Sequence, residues 1–204
     1  MNHDWTPTPG FGLPSRRSAV LGGLAAAVSS FASAGAATVP PAFLSGRHQF
    51  TLLSPQRMLQ SIRLFSLAGG TFDLAAFRGQ PMLLNFWATW CAACRTELPL
   101  LDKLSERTRN IGLKIIAVSE DRGSRDQVSR FIQSLAIRNL TVCLDPNGYV
   151  AHPDPDRTGA PFALYGMPIT FLIAGSGRIV GYMPGAADWT EPAADALIAY
   201  LRTT

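Results

Sequence analysis

The chain has 204 residues, of which 47% are hydrophobic and 16% are charged. This composition is sufficient for the core of one domain and excludes a chain that is disordered throughout. The net charge of +4 comes from scattered arginines, and no basic stripe with interleaved aromatic residues is present, which argues against nucleic-acid binding. Three cysteines are too few for a small domain held together by several disulfides.

Residues 1–37 have the layout of an export signal. Arg16 and Arg17 precede an uncharged run of mainly small residues, and residues 32–34 offer a cleavage site. The paired arginines are similar to those of a twin-arginine signal, although Ala19 stands where that motif normally has phenylalanine. We predict export to the periplasm or cell envelope, with removal of the segment. The alternatives are a plain N-terminal helix and an uncleaved membrane anchor, which would need about 20 strongly apolar residues.

The next segment, residues 38–60, is punctuated by proline, glycine and serine without a clear periodicity. We interpret it as a linker or a loosely packed extension. The folded domain is therefore expected to begin near Ser61 and to occupy residues 61–204.

From Ser61 onward, hydrophobic periodicity predicts an alternation of strands and helices. The predicted elements are a β-hairpin over 62–72, a helical turn over 73–77 capped by Asp73, a buried strand over 81–87, a helix over 92–109, a strand over 113–119, a helix over 124–135, a short strand over 140–144, a hairpin over 169–182, and a last helix capped by Thr190 and ending near Arg202. This order predicts an α/β fold, with a central mixed β-sheet flanked by helices.

Two cysteines three residues apart, Cys91 and Cys94, follow the predicted buried strand and begin a helix. The N–H groups and dipole at a helix N-terminus lower the pKa of a thiol, and the second thiol lies one turn further, close enough to form a disulfide. This spacing is typical of a redox dithiol. A zinc half-site and a structural disulfide are the alternatives. Because zinc needs a second ligand pair and the three histidines are widely separated, we predict no metal site.

Residues 85–99 have the sequence NFWATWCAACRTELP. They resemble the active-site segment of the thioredoxin superfamily, and in particular that of the TlpA/ResA-like exported thiol-disulfide oxidoreductases. Residues 166–173, GMPITFLI, resemble the cis-proline strand of that family, and Asp188 and Trp189 before the last helix also fit. The resemblance covers roughly residues 64–201. It implies a thioredoxin-like fold with an N-terminal β-hairpin and an insertion before the cis-proline strand.

The resemblance implies catalytic or substrate-binding roles for individual residues. Cys91 is the exposed attacking thiolate, and Cys94 is the buried thiol that resolves the mixed disulfide. Trp90 packs beside the site and shapes the substrate surface. Pro168 matches the cis-proline that faces the disulfide, where it leaves the backbone of Met167 free to hydrogen-bond an extended substrate peptide.

The resemblance also identifies Glu97 as an active-site glutamate, one helical turn beyond Cys94. A carboxyl group there is expected to tune the thiol pKa values or to exchange a proton with Cys94. The alternative is a first-turn acid that is favoured only by the helix dipole. Thioredoxins proper carry a buried aspartate where this chain has Asn85, which transfers the role of base to Glu97. Ala92 and Ala93 stand between the cysteines, where many relatives have a proline.

Residues 145–165 form a polar insertion before the predicted cis-proline strand. We interpret this insertion as a solvated loop, with a partner-recognition or metal-contact loop as the alternative. Cys143, in the short apolar strand just before it, is predicted to be a buried free thiol.

These observations predict an exported oxidoreductase that reduces protein disulfides in a bacterial cell envelope. The predicted chemistry needs no cofactor other than the redox-active disulfide between Cys91 and Cys94. Because the compartment is oxidising, the resemblance implies a membrane electron donor of the DsbD/CcdA type. It also implies protein substrates that carry disulfides, in the maturation of cytochrome c or of copper sites in cytochrome oxidase.

Three other functions use similar residues. A disulfide-forming oxidase shares the dithiol and differs in potential and partner. A copper-handling chaperone would hold Cu(I) with the same two thiols. A thiol peroxidase is disfavoured because Leu84 and Ala88 stand where the peroxiredoxin motif has proline and threonine.

Overall fold

The computed structural model describes residues 39–204. The predicted export segment and its cleavage site therefore lie outside the described residues. Within the described part of the chain, no helix is both long enough and apolar enough to cross a membrane.

Residues 39–204 form twelve β-strands, four α-helices and two short 3₁₀ helices. The strands are β1 (Leu44–Ser45), β2 (His48–Gln49), β3 (Thr51–Met58), β4 (Arg63–Ser66), β5 (Thr71–Asp73), β6 (Met82–Trp87), β7 (Lys114–Ser119), β8 (Thr141–Leu144), β9 (Ala151–His152), β10 (Phe162–Ala163), β11 (Ile169–Ile173) and β12 (Arg178–Pro184). The α-helices are α1 (Ala92–Thr108), α2 (Arg125–Ser134), α3 (Pro155–Thr158) and α4 (Pro192–Thr203), and the 3₁₀ helices cover Leu74–Phe77 and Arg109–Ile111.

Eight of the strands form one mixed sheet in the order β3-β12-β11-β6-β7-β8-β4-β5. Strands β6, β7 and β8 are parallel to one another, whereas β11 is antiparallel to β6. Strand β6 is nearly continuous in apolar residues and is buried along its whole length, as expected for a central strand covered on both faces. The predicted α/β fold with a mixed sheet is confirmed.

Successive side chains of β6 contribute to different parts of the core, because neighbouring residues of a strand point to opposite faces. Leu83 belongs to a cluster that includes Leu101 of α1 and Leu197 of α4. Leu84 and Phe86 belong to a second cluster, which includes residues of β10 and β11. Helix α1 is thereby anchored against the sheet, with its N-terminus close to the carboxyl end of β6.

Residues 39–60 are part of the fold, so the expectation of a linker there is wrong. Strands β1 and β2 pair as a small hairpin, and β3 pairs with β12 to form one edge of the main sheet. Phe43, Phe50 and Leu59 are buried. The sequence pattern concealed these strands because β3 is exposed along most of its length, so its apolar residues do not alternate. The folded domain begins upstream of Ser61.

The insertion over residues 145–165 is more ordered than the solvated loop that the sequence predicted. Strands β9 and β10 pair in parallel, and the short helix α3 lies between them. Val150 and Phe162 are buried in the cluster that covers one face of the main sheet. Cys143, as predicted, is a buried free thiol, and it belongs to the same cluster.

The start of the last helix also differs from the prediction. The N-terminal capping position of α4 is Glu191 rather than Thr190, and Pro192 is the first helical residue. The hydroxyl and the backbone N–H of Thr190 both donate hydrogen bonds to the carboxylate of Asp188. Because Asp188 closes a local turn in this way, the helix begins one residue later than the sequence indicated.

Candidate active site

The two cysteines of the Cys-X-X-Cys motif form a disulfide at the N-terminus of α1. Their Cα atoms are 5.3 Å apart, which is within the usual range for disulfides. Cys91 occupies the capping position of the helix, and its Sγ atom accepts a hydrogen bond of 3.1 Å from the N–H of Cys94. In the reduced protein, the same N–H group and the helix dipole would stabilise a thiolate on Cys91.

The two sulfur-bearing residues differ in their access to solvent. Cys91 retains 8% of its surface, whereas Cys94 has none. Trp90, immediately before the motif, is 69% exposed. Cys91, which was predicted to be exposed, is therefore largely buried, although it is the more accessible of the two cysteines, and Cys94 is buried as predicted.

Met167 and Pro168 lie at the same end of the sheet as the disulfide. The antiparallel pairing of β11 with β6 sets Ile169 opposite Phe86, close to the end of β6 that leads into the motif. Met167 packs against the cluster that contains both cysteines, and the Met167–Pro168 peptide bond is cis. Met167 and Trp90 both line a cleft of about 480 Å³.

Glu97 is buried within a network of hydrogen bonds. Its Oε1 atom accepts from the N–H of Ala187 at 3.1 Å and from the indole Nε1–H of Trp189 at 2.8 Å. Its Oε2 atom accepts from the side-chain amide of Asn85 at 2.9 Å. The same amide nitrogen also donates to the hydroxyl of Thr170 at 2.9 Å. Three segments of the chain therefore meet at this carboxyl group, and Thr170 of β11 joins the network through Asn85.

Burial raises the pKa of Glu97 from its ordinary value of 4.5 to about 7. The hydrogen bonds from Trp189, Ala187 and Asn85 act in the opposite direction, because they stabilise the ionised carboxylate. No acidic residue lies in the first turn of α1. The alternative reading of Glu97 as a first-turn acid favoured only by the helix dipole is therefore wrong.

A second group of carboxylates lines the cleft that begins at Trp90. Glu120 and Asp121 follow β7, and Asp145 follows β8. Asp145 accepts three backbone N–H groups from residues 149–151 of the insertion, whereas the Oε1 atom of Glu120 has no hydrogen-bond partner within residues 39–204. Burial, Asp145 and Asp121 raise the pKa of Glu120 to about 9.

The sequence reading missed these three carboxylates, although a signal for them was present. Parallel strands end at the same edge of a sheet, and ligand sites of α/β folds form outside the carboxyl ends of such strands. Acidic residues directly after β7 and β8 were therefore placed next to the motif that follows β6. The family resemblance singled out Trp189, but no sequence signal placed Trp189 or Ala187 against Glu97, because this contact depends on the path of a loop some 90 residues away.

Within residues 39–204, no three side chains of histidine, cysteine, aspartate or glutamate are grouped so that they could hold a metal ion. Cys143 belongs to a different core cluster from Cys91 and Cys94.

Comparison of sequences places the chain in a known family. The family model described as AhpC/TSA matches residues 55–181, which is more than half of the chain. The thiol:disulfide interchange protein DsbE of Vibrio cholerae is 34% identical over 125 residues, which cover 60% of this chain and 61% of that protein. The thiol-disulfide oxidoreductase ResA of Bacillus thuringiensis is 30% identical over 122 residues, which cover 58% and 63%. The chain thus matches about three fifths of the length of these relatives.

Solved structures show the same fold. A secreted thiol-disulfide isomerase from Corynebacterium glutamicum superposes with a TM-score of 0.60 at 19% identity, over 78% of this chain and 98% of that chain. A thiol:disulfide interchange protein of the thioredoxin family from Chlorobium tepidum gives a TM-score of 0.57 at 20% identity, over 72% and 97%. The chain belongs to the AhpC/TSA family and has a thioredoxin-like fold.

Proposed function

We propose that the chain is an exported thiol-disulfide oxidoreductase that reduces disulfides of protein substrates in the bacterial cell envelope. The observation that carries this proposal is the asymmetry of the disulfide, in which Cys91 keeps a small access to solvent beside an exposed tryptophan and Cys94 is fully buried. The names of the sequence relatives, a thiol:disulfide interchange protein and a thiol-disulfide oxidoreductase, support the same class of reaction.

The first step is the attack of the reduced protein on its substrate. The thiolate of Cys91 forms a bond to one sulfur of the substrate disulfide, and the bond between the two substrate sulfurs breaks. The departing substrate sulfur leaves as a thiolate and takes a proton from water. The helix N-terminus favours the reactive thiolate on Cys91, because the backbone N–H of Cys94 points at its sulfur.

The second step releases the substrate. Cys94 loses its proton and attacks the sulfur of Cys91, so that the disulfide between Cys91 and Cys94 forms and the second substrate sulfur leaves as a thiolate. Two electrons have then passed from the protein dithiol to the substrate. The structure described above, with its disulfide closed, corresponds to the oxidised protein at the end of this step.

We assign to Glu97 the role of accepting the proton that Cys94 loses. It lies one turn further along α1, is fully buried, and has a pKa near 7, so that it can gain or lose a proton at neutral pH. The Oδ1 atom of Asn85 is buried and has no hydrogen-bond partner within residues 39–204. Rotation of that amide would present Oδ1 to a protonated Glu97 as an acceptor.

The substrate surface comprises Trp90, Met167 and Pro168. Trp90 offers an exposed aromatic face next to Cys91, and Met167 lines the same cleft. An extended peptide can lie across these residues and hydrogen-bond to the backbone of Met167. The insertion forms another wall of the cleft through Pro146 and His152, which supports a role for it in substrate recognition.

The proposed location requires a source of electrons. A reductase in an oxidising compartment cannot be reduced directly by cytosolic thiols, so we propose a membrane electron donor of the DsbD/CcdA type. Residues 1–37, with their paired arginines, supply the export signal in this proposal. Apocytochrome c or a copper-site protein of cytochrome oxidase is the proposed substrate.

The experiment traps the mixed disulfide. The reduced full chain is mixed with a peptide whose two cysteines, taken from the haem-binding sequence of an apocytochrome c, form a disulfide. We expect wild type to release both peptide thiols, Cys94→Ala to accumulate a covalent adduct at Cys91, and Cys91→Ala to do neither. Cys143→Ala is the matched control and should behave as wild type, because Cys143 belongs to a separate core cluster. Absence of the adduct in Cys94→Ala, together with no peptide thiols from wild type, contradicts the proposal.

A further inference from the structure

The β1–β2 hairpin (residues 43–50) packs on the β12–α4 loop (residues 185–191). The rings of Phe43 and Trp189 are fully buried against each other, with centroids 5.3 Å apart. The hydroxyl of Ser45 accepts a hydrogen bond of 2.8 Å from the N–H of Asp188. The ring of His48 lies so close to Gly185 that a Cβ atom on that residue would approach it to 2.4 Å.

The same loop supplies two of the three hydrogen bonds that Glu97 accepts. The N–H of Ala187 and the indole N–H of Trp189 both donate to its Oε1 atom. Between them, the N–H of Asp188 donates to Ser45 instead. Consecutive residues of the loop therefore alternate between the hairpin and the buried carboxyl group, so a displacement of the hairpin would displace both donors.

We propose that the β1–β2 hairpin positions the carboxyl group of Glu97, because Phe43 and Ser45 fix the loop residues that donate to it. Phe43 and Ser45 are positioning residues, since neither touches the sulfur atoms or Glu97 itself. The link from this carboxyl group to the release of substrate by Cys94 rests on the function proposed above.

The hydrogen bonds from the loop bear on the acidity of Glu97 because they stabilise its ionised form. Strands β6 and β11, which pack beside it, carry no titratable side chain. The titratable or charged groups on the other surrounding elements are Arg47 and His48 on the hairpin, Asp188 and Glu191 on the loop, and Arg95, Asp102, Lys103, Glu106 and Arg107 on α1, whereas Cys91 and Cys94 are bonded to each other in the oxidised protein. Within residues 39–204, none of them is hydrogen-bonded to Glu97. Loss of the loop donors is therefore expected to raise its pKa.

The test is a titration of Glu97 in the oxidised full chain. The sequence contains four glutamates, so glutamate labelled with ¹³C at the side-chain carboxyl gives four signals by NMR, and Glu97→Gln identifies the relevant one. The variants are Phe43→Leu and the milder Ser45→Ala, which removes a single oxygen atom. Ser45→Thr keeps the hydroxyl. Phe50→Leu is the matched control, because Phe50 is a buried ring of the same hairpin that lies over Gly181 of β12.

We expect Phe43→Leu and Ser45→Ala to raise the pKa of Glu97 by up to about one pH unit, because displacement of the loop weakens the hydrogen bonds that Ala187 and Trp189 donate to its charged form. Ser45→Thr and Phe50→Leu should leave it at the wild-type value. Unchanged titration of Glu97 in both Phe43→Leu and Ser45→Ala overturns the inference, even if both variants are less stable. An equal rise in Phe50→Leu also overturns it, because general loosening of the domain would then be the cause.

A second readout separates this inference from the proposed function. It is the pH dependence of the step in which Cys94 releases substrate from a mixed disulfide on Cys91. If the pH profile shifts in the variants by the same amount as the pKa of Glu97, the result supports both the positioning role of the hairpin and the proposed function. If the titration of Glu97 moves and the profile does not, the positioning role of the hairpin stands and the assigned role of Glu97 in the reaction is wrong.

Discussion

Two glutamates near the disulfide are removed from water but have contrasting surroundings. Glu97 lies in the interior and accepts hydrogen bonds at both carboxyl oxygens, with no charged group among its partners. Glu120 lines the cleft beside Trp90, has one buried oxygen without a partner within residues 39–204, and has Asp121 and Asp145 as neighbours. Burial raises the pKa of both, to about 7 for Glu97 and about 9 for Glu120.

The difference shows that burial alone does not decide when a carboxyl group titrates. Hydrogen-bond donors hold the pKa of Glu97 within reach of neutral pH, whereas carboxylate neighbours push that of Glu120 further upward. At pH 7 Glu97 is divided between its two protonation states, and Glu120 keeps its proton. A base suited to proton exchange therefore lies in the interior behind Cys94, and a neutral acid lies in the cleft.

The largest expected effect is on stability. The pKa of Glu97 is near 4.5 in the unfolded chain and about 7 in the folded protein, so the folded state binds this proton more tightly. The stability that proton binding at Glu97 contributes to the folded state is fully present below pH 4.5 and is lost as the pH rises through 7. Relative to Glu97→Gln, wild type should lose about 3 kcal/mol in free energy of unfolding between these limits. Urea unfolding at a series of pH values measures this, and a difference independent of pH would contradict it.

The same substitution should slow the reaction. We expect Glu97→Gln to reduce the rate of substrate release from the mixed disulfide by about 100-fold at pH 7, which is typical of a lost general acid or base. Glu120→Gln should have a much smaller effect, because that carboxyl group is already neutral. Glu106→Gln, an exposed position on the same helix, serves as the control. Single-turnover kinetics give the rates, and equal losses in the Glu97 and Glu120 variants would remove the distinction between the two groups.

Removal of one hydrogen-bond donor should raise the pKa of Glu97 toward the higher pKa of Glu120. Trp189→Phe keeps an aromatic ring against Phe43 but removes the indole N–H that donates to Glu97. We expect the pKa of Glu97 to rise by about one unit, since hydrogen bonds to charged groups contribute about 1.5–3 kcal/mol. Carboxyl NMR titration measures this shift. A pKa that falls toward 4.5 would mean that the indole does not stabilise the carboxylate.

The smallest effect is expected at Glu120. Its pKa is raised in the folded protein, so the folded state again loses stability as the pH rises from 4.5 toward 9. Glu120→Gln should therefore be more stable than wild type at pH 8, by about 1 kcal/mol because the side chain keeps partial access to water. Thermal unfolding of Glu120→Gln and wild type at pH 8 and pH 5 provides the comparison. If the substitution stabilises the protein more at pH 5 than at pH 8, the predicted direction of the pH dependence is wrong.

Local patterns in the sequence were sufficient for the catalytic motif and its helix. The apolar run of β6 and the position of Cys91 at a helix start depend on neighbouring residues, so they could be read directly. Local geometry also placed Glu97 on the helix one turn beyond Cys94, whereas its role at the active site was implied by the family resemblance.

The partners of Glu97 could not be read from the sequence. Its donors Ala187 and Trp189 come from a loop far along the chain, and that loop is in turn held by Phe43 and Ser45. The residues around Phe43 looked like a linker because two short strands and an exposed edge strand leave little periodicity. Contacts of this kind depend on tertiary structure, which single-sequence patterns do not encode.

The central claim, that Cys91 and Cys94 reduce substrate disulfides, is tested most directly by the reduction potential of the pair. Equilibration of the full chain against thiol redox buffers gives this value. Thioredoxin, at about −270 mV, and DsbA, at about −120 mV, mark a reductant and an oxidant. We predict a value close to that of thioredoxin. A value close to that of DsbA would contradict the account and would make the protein a donor of disulfides.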